Sequence, residues 1–266
     1  MARYEYRTPR LFVDTPLAHG LTVVLAAAQA NYLRNVLRLP AGAGVLAFNG
    51  RHGEWRAELE PVGKREARLA IKAQTRPQTA PGDLHYLFAP LKHARLDYMV
   101  QKAVEMGASR LQPVITRHTQ VARVNLARMR ANAIEAAQQC GILSLPEINA
   151  PAQLTALIGK LDAGRLLVFC DEDAEVKDPV AALAALRSPP TALLPLASGT
   201  MLPLALLVGP EGGFSEDERA ALMKLPNVVR LALGPRVLRA DTAAVAALAL
   251  IQTVLGDWHA PPEEEG

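Results

Sequence analysis

The sequence predicts a small β-barrel domain followed by an α/β domain with a mostly parallel sheet. Over roughly the first 75 residues, short stretches that alternate between apolar and polar residues are separated by turn residues, which is typical of a barrel. After a polar, Pro-rich segment at residues 74–82, strand-like runs alternate with helical patterns almost to the end of the chain. Such alternation favours βαβ units and a parallel sheet.

Composition excludes several classes of protein. Of 266 residues, 50% are hydrophobic and 21% are charged, so the chain can build a core and is not globally disordered. Cys140 and Cys170 form no Cys-x-x-Cys motif, and His93 and His118 stand alone, which argues against a disulfide scaffold and a metal site. The first ten residues lack the apolar stretch of a signal peptide, and Ala243–Ile251 is too short to span a bilayer. We therefore expect a cytoplasmic protein with neither metal nor membrane partner.

Positive charge is concentrated in two segments. Residues 1–76 carry 12 basic and 6 acidic side chains, and residues 92–130 carry 8 and 2. Residues 131–266 instead have a net charge of −8, so the overall charge is only +3. Clustered basic residues are typical of a polyanion partner such as RNA, because neutralised phosphates release counterions. Two ordinary solvated basic faces are the alternative explanation.

The first domain is predicted to contain strands and one helix. The helix covers Ala27–Leu39, with Tyr32, Leu33, Val36 and Leu37 on one face. Asn49-Gly50 lies next to a strand and favours a hairpin turn, because both residues tolerate a positive φ. The predicted strands are Leu21–Leu25, Gly44–Phe48, Glu54–Leu59 and Ala67–Lys72.

The second domain is predicted to alternate strands with helices. Two of its helices stop at glycines, Gly107 and Gly141, which are good C-terminal caps. The predicted strands are Leu84–Leu91, Leu111–Thr116, Leu166–Cys170, Leu204–Val208 and Val228–Leu233. The predicted helices are Leu96–Met106, Val124–Cys140, Asp178–Leu186 and Thr242–Leu255. An acidic, frayed tail is expected at residues 261–266.

Two late loops carry the candidate chemistry. Gly209–Phe214 (GPEGGF) directly follows a strand, where glycines let the backbone approach a ligand, and Ser215 with Glu218 forms a capping box for the next helix. The second loop, Leu233–Thr242, offers two guanidinium groups to a phosphate or an anionic base, those of Arg236 and Arg239. The alternatives are a tight turn for the first loop and a capped surface loop for the second. No Rossmann, Walker or nucleophile-elbow motif is present.

Six segments of the chain resemble one family. They are PRLFV at residues 9–13, NYLRNVLRL at 31–39, QKAVEMGASRLQPVIT at 101–116, EAAQQC at 135–140, GPEGGFSEDE at 209–218 and LALGPRVLRADTA at 231–243. Together they resemble the RsmE family of 16S ribosomal RNA (uracil-N3)-methyltransferases, in the SPOUT class. The chain departs from the family pattern at Asn31, at Ile142 and at Asp241, which replaces a glutamate.

The resemblance implies an architecture and an activity. The fold would be a PUA-like RNA-binding barrel (1–74), a linker (75–82) and a trefoil-knotted methyltransferase domain (83–260), assembled as a homodimer. The reaction would transfer a methyl group from S-adenosylmethionine to N3 of a uridine of the 1498 type in 16S rRNA of the small ribosomal subunit. The donor would bind among Leu207, Val208, Gly209, Pro210, Glu211, Gly212, Gly213, Leu231, Leu233, Gly234, Val237 and Leu238.

Specific roles follow as hypotheses. Arg236 and Arg239 would stabilise charge on the uracil oxygens, while Asp241 or Glu211 would act as a base or orient an arginine. A structural role for Glu211, which would hold its loop by accepting backbone N–H hydrogen bonds, is the alternative. The candidate phosphate contacts are Arg7, Arg10, Arg34, Arg38, Lys92, Arg95, Lys102 and Arg117. Two other functions stay open: a non-catalytic RNA-binding assembly factor, and a SPOUT methyltransferase that acts on tRNA or on a ribose hydroxyl.

Overall fold

The computed structural model describes residues 7–63, 66–121, 123–175, 178–186 and 202–259. The chain forms two compact units: Met1–Ala80 with Ile134–Leu145, and Pro81–Ala133 with Pro146–Gly266. The acidic tail expected at residues 261–266 lies outside the described residues. Within the described ranges, none of the helices combines the length and the apolar character needed to cross a bilayer.

The first unit is built on a mixed five-stranded sheet. Its strand order is β1-β3-β4-β5-β2, with β1 parallel to β3 and all other pairs antiparallel. Side chains alternate between a buried and an exposed face in β5, which matches the period of two read from the sequence. The strands are β1 Arg10–Phe12, β2 Thr22–Val24, β3 Gly44–Phe48, β4 Glu54–Val62 and β5 Glu66–Arg76.

The predicted hairpin and helix of this unit are both present. Oδ1 of Asn49 accepts hydrogen bonds from the backbone N–H groups of Arg51 at 3.0 Å and His52 at 2.9 Å, which closes the β3–β4 turn. Helix α1 covers Ala27–Asn31 and continues as a π-helical turn, Tyr32–Val36. The helical stretch therefore ends before Leu39. The reason is local: Arg38 adopts a left-handed φ of 54°.

The position of Arg10 contradicts one of the predicted RNA contacts. It was expected to contact an RNA phosphate, but its side chain is 4% exposed and its Nε lies 2.9 Å from Oε2 of Glu54, which is 3% exposed. Glu54 also accepts a hydrogen bond from Thr75 Oγ1 at 2.9 Å. A guanidinium buried against a carboxylate is not available to a polyanion, so this prediction is wrong.

The boundaries of the first unit differ from the predicted ones. β5 runs to Arg76, so the first two residues of the expected linker 75–82 belong to a strand that continues its ladder with β4. Ile134–Leu145 also belongs to this unit, although it was expected in the second domain. Its contacts explain why: Gln138 Oε1 accepts the N–H of Phe12 at 2.9 Å, and Arg76 donates to the carbonyl of Gly141 at 2.8 Å.

The second unit contains an all-parallel seven-stranded sheet, which confirms the predicted fold class. Its order is β12-β10-β11-β6-β7-β8, and β9 also pairs with β7. The strands are β6 Leu84–Phe88, β7 Arg110–Ile115, β8 Glu147–Ile148, β9 Ala152–Gln153, β10 Leu166–Cys170, β11 Leu204–Val208 and β12 Val228–Leu231. Parallel strands end at the same edge, so the loops after β10, β11 and β12 gather there.

Helices cover this sheet. The long apolar helix α7 packs on α2, α5 and β11, and it begins two residues earlier than predicted. The helices of this unit are α2 His93–Glu105, α4 Leu154–Ile158, α5 Pro179–Ala184, α6 Glu216–Met223 and α7 Ala240–Val254, followed by a 3-10 turn at Asp257–His259. Helix α3, Leu126–Cys140, begins in this unit and ends in the first. The short elements β8, β9 and α4 were not predicted, because runs of two to five residues leave little periodicity to detect.

Candidate active site

A cavity of about 350 Å³ lies at the carboxyl ends of β10, β11 and β12. The two late loops of the sequence form most of its wall, together with residues that follow β10. Its size suits a nucleoside-sized ligand. Ten residues expected to bind the donor line it: Val208, Gly209, Pro210, Glu211, Gly213, Leu231, Leu233, Gly234, Val237 and Leu238.

Two residues expected to bind the donor are placed elsewhere. Leu207 is fully buried and packs in the cluster around Phe169 and Phe214, because its side chain points to the sheet face opposite to that of its neighbour Val208. Gly212 does not line the cavity either. It lies against His118, whose Cβ would be 3.2 Å from a Cβ placed on that glycine.

The glycine-rich loop is held by its own backbone and by α6. Gly213 has φ +68°, and a Cβ there would lie 2.5 Å from Oε1 of Glu172, so this position requires glycine. The predicted capping box is present: Ser215 Oγ accepts the N–H of Glu218 at 3.3 Å, and Glu218 Oε2 accepts the N–H of Ser215 at 2.9 Å. The loop therefore reaches the cavity in a defined conformation.

The arginine-bearing loop is more exposed. Arg236 lines the cavity, whereas Arg239 is the residue before α7 and does not line it. Neither arginine has an ion-pair partner among the described residues, and Val237 between them is 88% exposed. This loop therefore offers two uncompensated guanidinium groups next to the cavity.

A third segment was missed by sequence reasoning. Cys170, Asp171 and Glu172 follow β10 and line the cavity. The carboxylate of Asp171 has 0% exposure, and its Oδ2 accepts hydrogen bonds from Nε of Arg219 at 3.1 Å and Nε of Arg230 at 2.7 Å. The run DED directly after an apolar strand was the available signal, because acidic residues at a strand end need partners or a ligand.

Cys170 lines the cavity as a neutral thiol. Burial raises the pKa of its thiol to about 12, and the neighbouring Asp171 carboxylate adds to the shift. A thiol is a nucleophile only as the thiolate, so Cys170 serves as an apolar wall of the cavity.

Arg95, at the start of α2, contacts both predicted catalytic carboxylates. Its Nη1 donates to Oε1 of Glu211, and its Nε lies 3.9 Å from Oδ2 of Asp241. Asp241 Oδ1 also accepts the N–H of Thr242 at 2.9 Å. Of the roles left open for these carboxylates, this geometry favours the one that orients an arginine. The arginine that these carboxylates orient is Arg95 and not Arg236 or Arg239 of the second loop.

The remaining cations predicted to contact RNA differ in their availability. Arg34 donates to the backbone carbonyls of Gly63 at 2.9 Å and Glu66 at 3.2 Å. Lys102 Nζ lies 2.7 Å from both carboxylate oxygens of Glu105. Exposed side chains belong to Arg7, Arg38, Lys92 and Arg117.

Family models match both units. The model of an RNA methyltransferase domain matches residues 78–252, and that of an RNA methyltransferase PUA domain matches residues 25–72. The "Ribosomal RNA small subunit methyltransferase E" of Rickettsia conorii is 28% identical over 244 residues, which cover 91% of this chain and 94% of that protein. The protein of the same name from Synechocystis is 29% identical over 248 residues, with 92% and 78% covered.

Solved structures show the same similarity. The ribosomal RNA small subunit methyltransferase E of Neisseria gonorrhoeae, bound to S-adenosyl methionine, superposes with a TM-score of 0.78 at 26% identity and covers 94% of this chain and 99% of its own. A putative methyltransferase from Legionella pneumophila in complex with the cofactor SAM gives a TM-score of 0.76 at 28% identity, with 93% and 98% covered.

Proposed function

Because the chain belongs to the RNA methyltransferase family whose domain model it matches, we propose that it methylates N3 of a uridine of the 1498 type in 16S rRNA of the small ribosomal subunit. The methyl donor is S-adenosylmethionine. The observation that carries the proposal is the cavity formed by the two late loops, because ten of the twelve residues expected to hold the donor line it.

The residues of the cavity fit this donor. Apolar groups of Val208, Leu231 and Leu238 suit an adenine ring, and the exposed backbone of the glycine-rich loop suits its polar edges. Gly234 has φ +96° with no atom within 4 Å of a Cβ position, so the backbone there faces open space that a ligand can enter. When bound, the donor supplies a methyl group on a positively charged sulfur.

The protein side of the reaction must prepare a poor nucleophile. N3 of uracil is a weakly acidic imide and reacts only as it loses its proton, while negative charge develops on the ring oxygens. The exposed guanidinium groups of Arg236 and Arg239 supply a positive field for this charge. Glu211 and Asp241 hold Arg95 in place beside the cavity.

RNA recognition uses both units in this proposal. The PUA-like unit and the start of the second unit provide the exposed cations Arg7, Arg38, Lys92 and Arg117 for phosphate contacts. Because N3 lies on the Watson–Crick edge, the target uridine must be unpaired or extruded. The proposal further includes a homodimer, a trefoil knot in the second unit and a place in the cytoplasm, all implied by the family resemblance; light scattering on the purified protein tests the dimer.

The decisive experiment maps the modified nucleoside. Purified protein and labelled S-adenosylmethionine are incubated with small subunits, naked 16S rRNA and tRNA from a strain that lacks the modification, and the nucleosides are then identified. We expect 3-methyluridine in the small-subunit RNA. Label in tRNA or on a ribose hydroxyl would favour a different SPOUT reaction. If the protein binds the donor but leaves every RNA unlabelled, an assembly factor would be favoured.

A further inference from the structure

A second cavity of about 350 Å³ lies beside the first in the same unit. Its wall combines Lys92 and Arg95 at the start of α2 with His118, which follows β7. Pro210 and Glu211 line both cavities, so the glycine-rich loop is their common wall. A ligand in the second cavity would therefore lie next to a ligand in the first.

The orientation of His118 fixes its tautomer. Its Nδ1 lies 3.0 Å from the carbonyl oxygen of Gly212 and 3.2 Å from that of Gly213. Carbonyl oxygens only accept hydrogen bonds, so Nδ1 carries the proton. In the neutral ring, Nε2 then holds a lone pair, and among the described residues it has no hydrogen-bond partner. Nε2 is therefore available as a proton acceptor.

The segment that carries His118 is held in place by hydrogen bonds. The N–H of Thr116 donates to Oγ1 of Thr119 at 2.9 Å, and the N–H of Arg117 donates to Oε1 of Glu218 at 2.8 Å. Glu218 is the same residue that caps α6, so one carboxylate ties the histidine segment to the glycine-rich loop. Such fixation is typical of positioned catalytic groups.

The charged groups around His118 suit an anion. Lys92 and Arg95 line the same cavity and are positive, while Glu211 is paired with Arg95. On the histidine's own segment Arg117 is exposed and positive, and Glu218 is bound to backbone N–H groups of Arg117 and Ser215. A neutral uracil that loses its N3 proton here would become an anion in a positive field.

We propose that the second cavity receives the extruded uracil and that Nε2 of His118 accepts its N3 proton; this rests on the function proposed above. The N3–H bond breaks and an Nε2–H bond forms, which gives an imidazolium. The electron pair left on N3 forms the bond to the methyl carbon, and the pair of the breaking carbon–sulfur bond stays on sulfur. The exposed imidazolium then returns its proton to water.

The test is the variant His118→Gln, compared over a range of pH. Removal of a general base costs about 10²–10⁴-fold in rate, so we expect single-turnover methylation of small subunits to fall at least 100-fold near neutral pH. The deficit should shrink to below about tenfold at alkaline pH, because hydroxide then removes the N3 proton. An equal rate, or a deficit that is the same at every pH, would overturn the proposal.

Two binding measurements accompany the rates. Affinity for S-adenosylmethionine, measured by calorimetry, should be the same in the wild type and the variant, since His118 does not line the first cavity. Uridine 5′-monophosphate, added without donor, should shift the ring nitrogen resonance of His118 in NMR spectra, and an unmoved resonance would contradict the assignment. His19→Gln changes an exposed histidine of the first unit and is the matched control. A wild type that methylates no RNA would instead refute the proposed function.

Discussion

Two arginines of the first unit and two arginines of the second unit are used in opposite ways. In the first unit, Arg10 is buried against Glu54, and Arg34 is hydrogen-bonded to backbone carbonyls. In the second unit, Arg236 and Arg239 stand on an exposed loop beside the cavity and have no ion-pair partner among the described residues. The two arginines of each group contribute equally to the net charge of the chain. A basic segment of sequence therefore does not show which of its cations are available to a ligand.

The largest effect is expected from the buried arginine. Arg10→Ala leaves Glu54 without its closest cation and should lower the free energy of unfolding by about 3 kcal/mol, because the partner charge stays buried. Urea denaturation measures this loss. Arg7→Ala changes an exposed arginine three residues away and should leave stability unchanged. Similar stability of the two variants would mean that the Arg10–Glu54 pair does not stabilise the first unit.

The exposed arginine should show the reverse behaviour. Arg239→Ala removes a guanidinium without a described partner, so thermal stability should stay within about 0.5 kcal/mol of the wild type. Methylation should fall by about 100-fold if this arginine stabilises developing charge. Donor affinity should change little, because Arg239 does not line the donor cavity. Equal losses in rate and donor affinity would contradict the assigned role.

Much of the fold was predictable because its signals are local. β3, β10 and β11 have the bounds that the sequence predicted, since each is a short apolar run between turn residues. The capping box at Ser215 is likewise a pattern of four residues. The assignment of Ile134–Leu145 to the first unit was not predictable, because it depends on contacts such as that between Gln138 and Phe12, 126 positions apart.

In the candidate site, too, local features were predictable from the sequence and contacts between distant residues were not. The two loops were predicted because glycines and arginines after apolar strands are visible in the sequence. His118 was set aside as a lone histidine, since its importance depends on carbonyls of Gly212 and Gly213 that are more than 90 positions away. The pairing of Arg95 with Glu211 is likewise not visible in the sequence, and Arg95 was therefore predicted as a phosphate contact.

Arginines held in ion pairs should also change the pKa of neighbouring groups. Burial lowers the pKa of His85 to about 4, and the charges of Arg165 and Arg110 add to the shift. The unfolded chain therefore binds more protons between pH 6.5 and 4, so stability is lost as the pH falls through this window. We expect a loss of roughly 2 kcal/mol, measured by urea denaturation.

His85→Gln should remove most of this dependence on pH, because no group then titrates at that position. His19→Gln, which changes an exposed histidine, should retain it. A wild-type stability that stays constant from pH 6.5 to 4 would show that folding does not lower the pKa of His85.

The smallest effect concerns a buried polar group without a partner. Glu54 is buried in the first unit but is bound by Arg10 and Thr75. In the second unit, the hydroxyl of Tyr86 has no hydrogen-bond partner among the described residues, and its ring stacks on Phe88. Burial, with smaller contributions from Cys170 and Asp241, raises the pKa of Tyr86, so the group stays neutral. Tyr86→Phe removes an unsatisfied hydroxyl and keeps the ring, and should therefore raise the free energy of unfolding by about 1 kcal/mol. Thermal denaturation of this variant, with the exposed Tyr32→Phe as control, measures the gain; a loss of stability would mean that a partner satisfies the hydroxyl in solution.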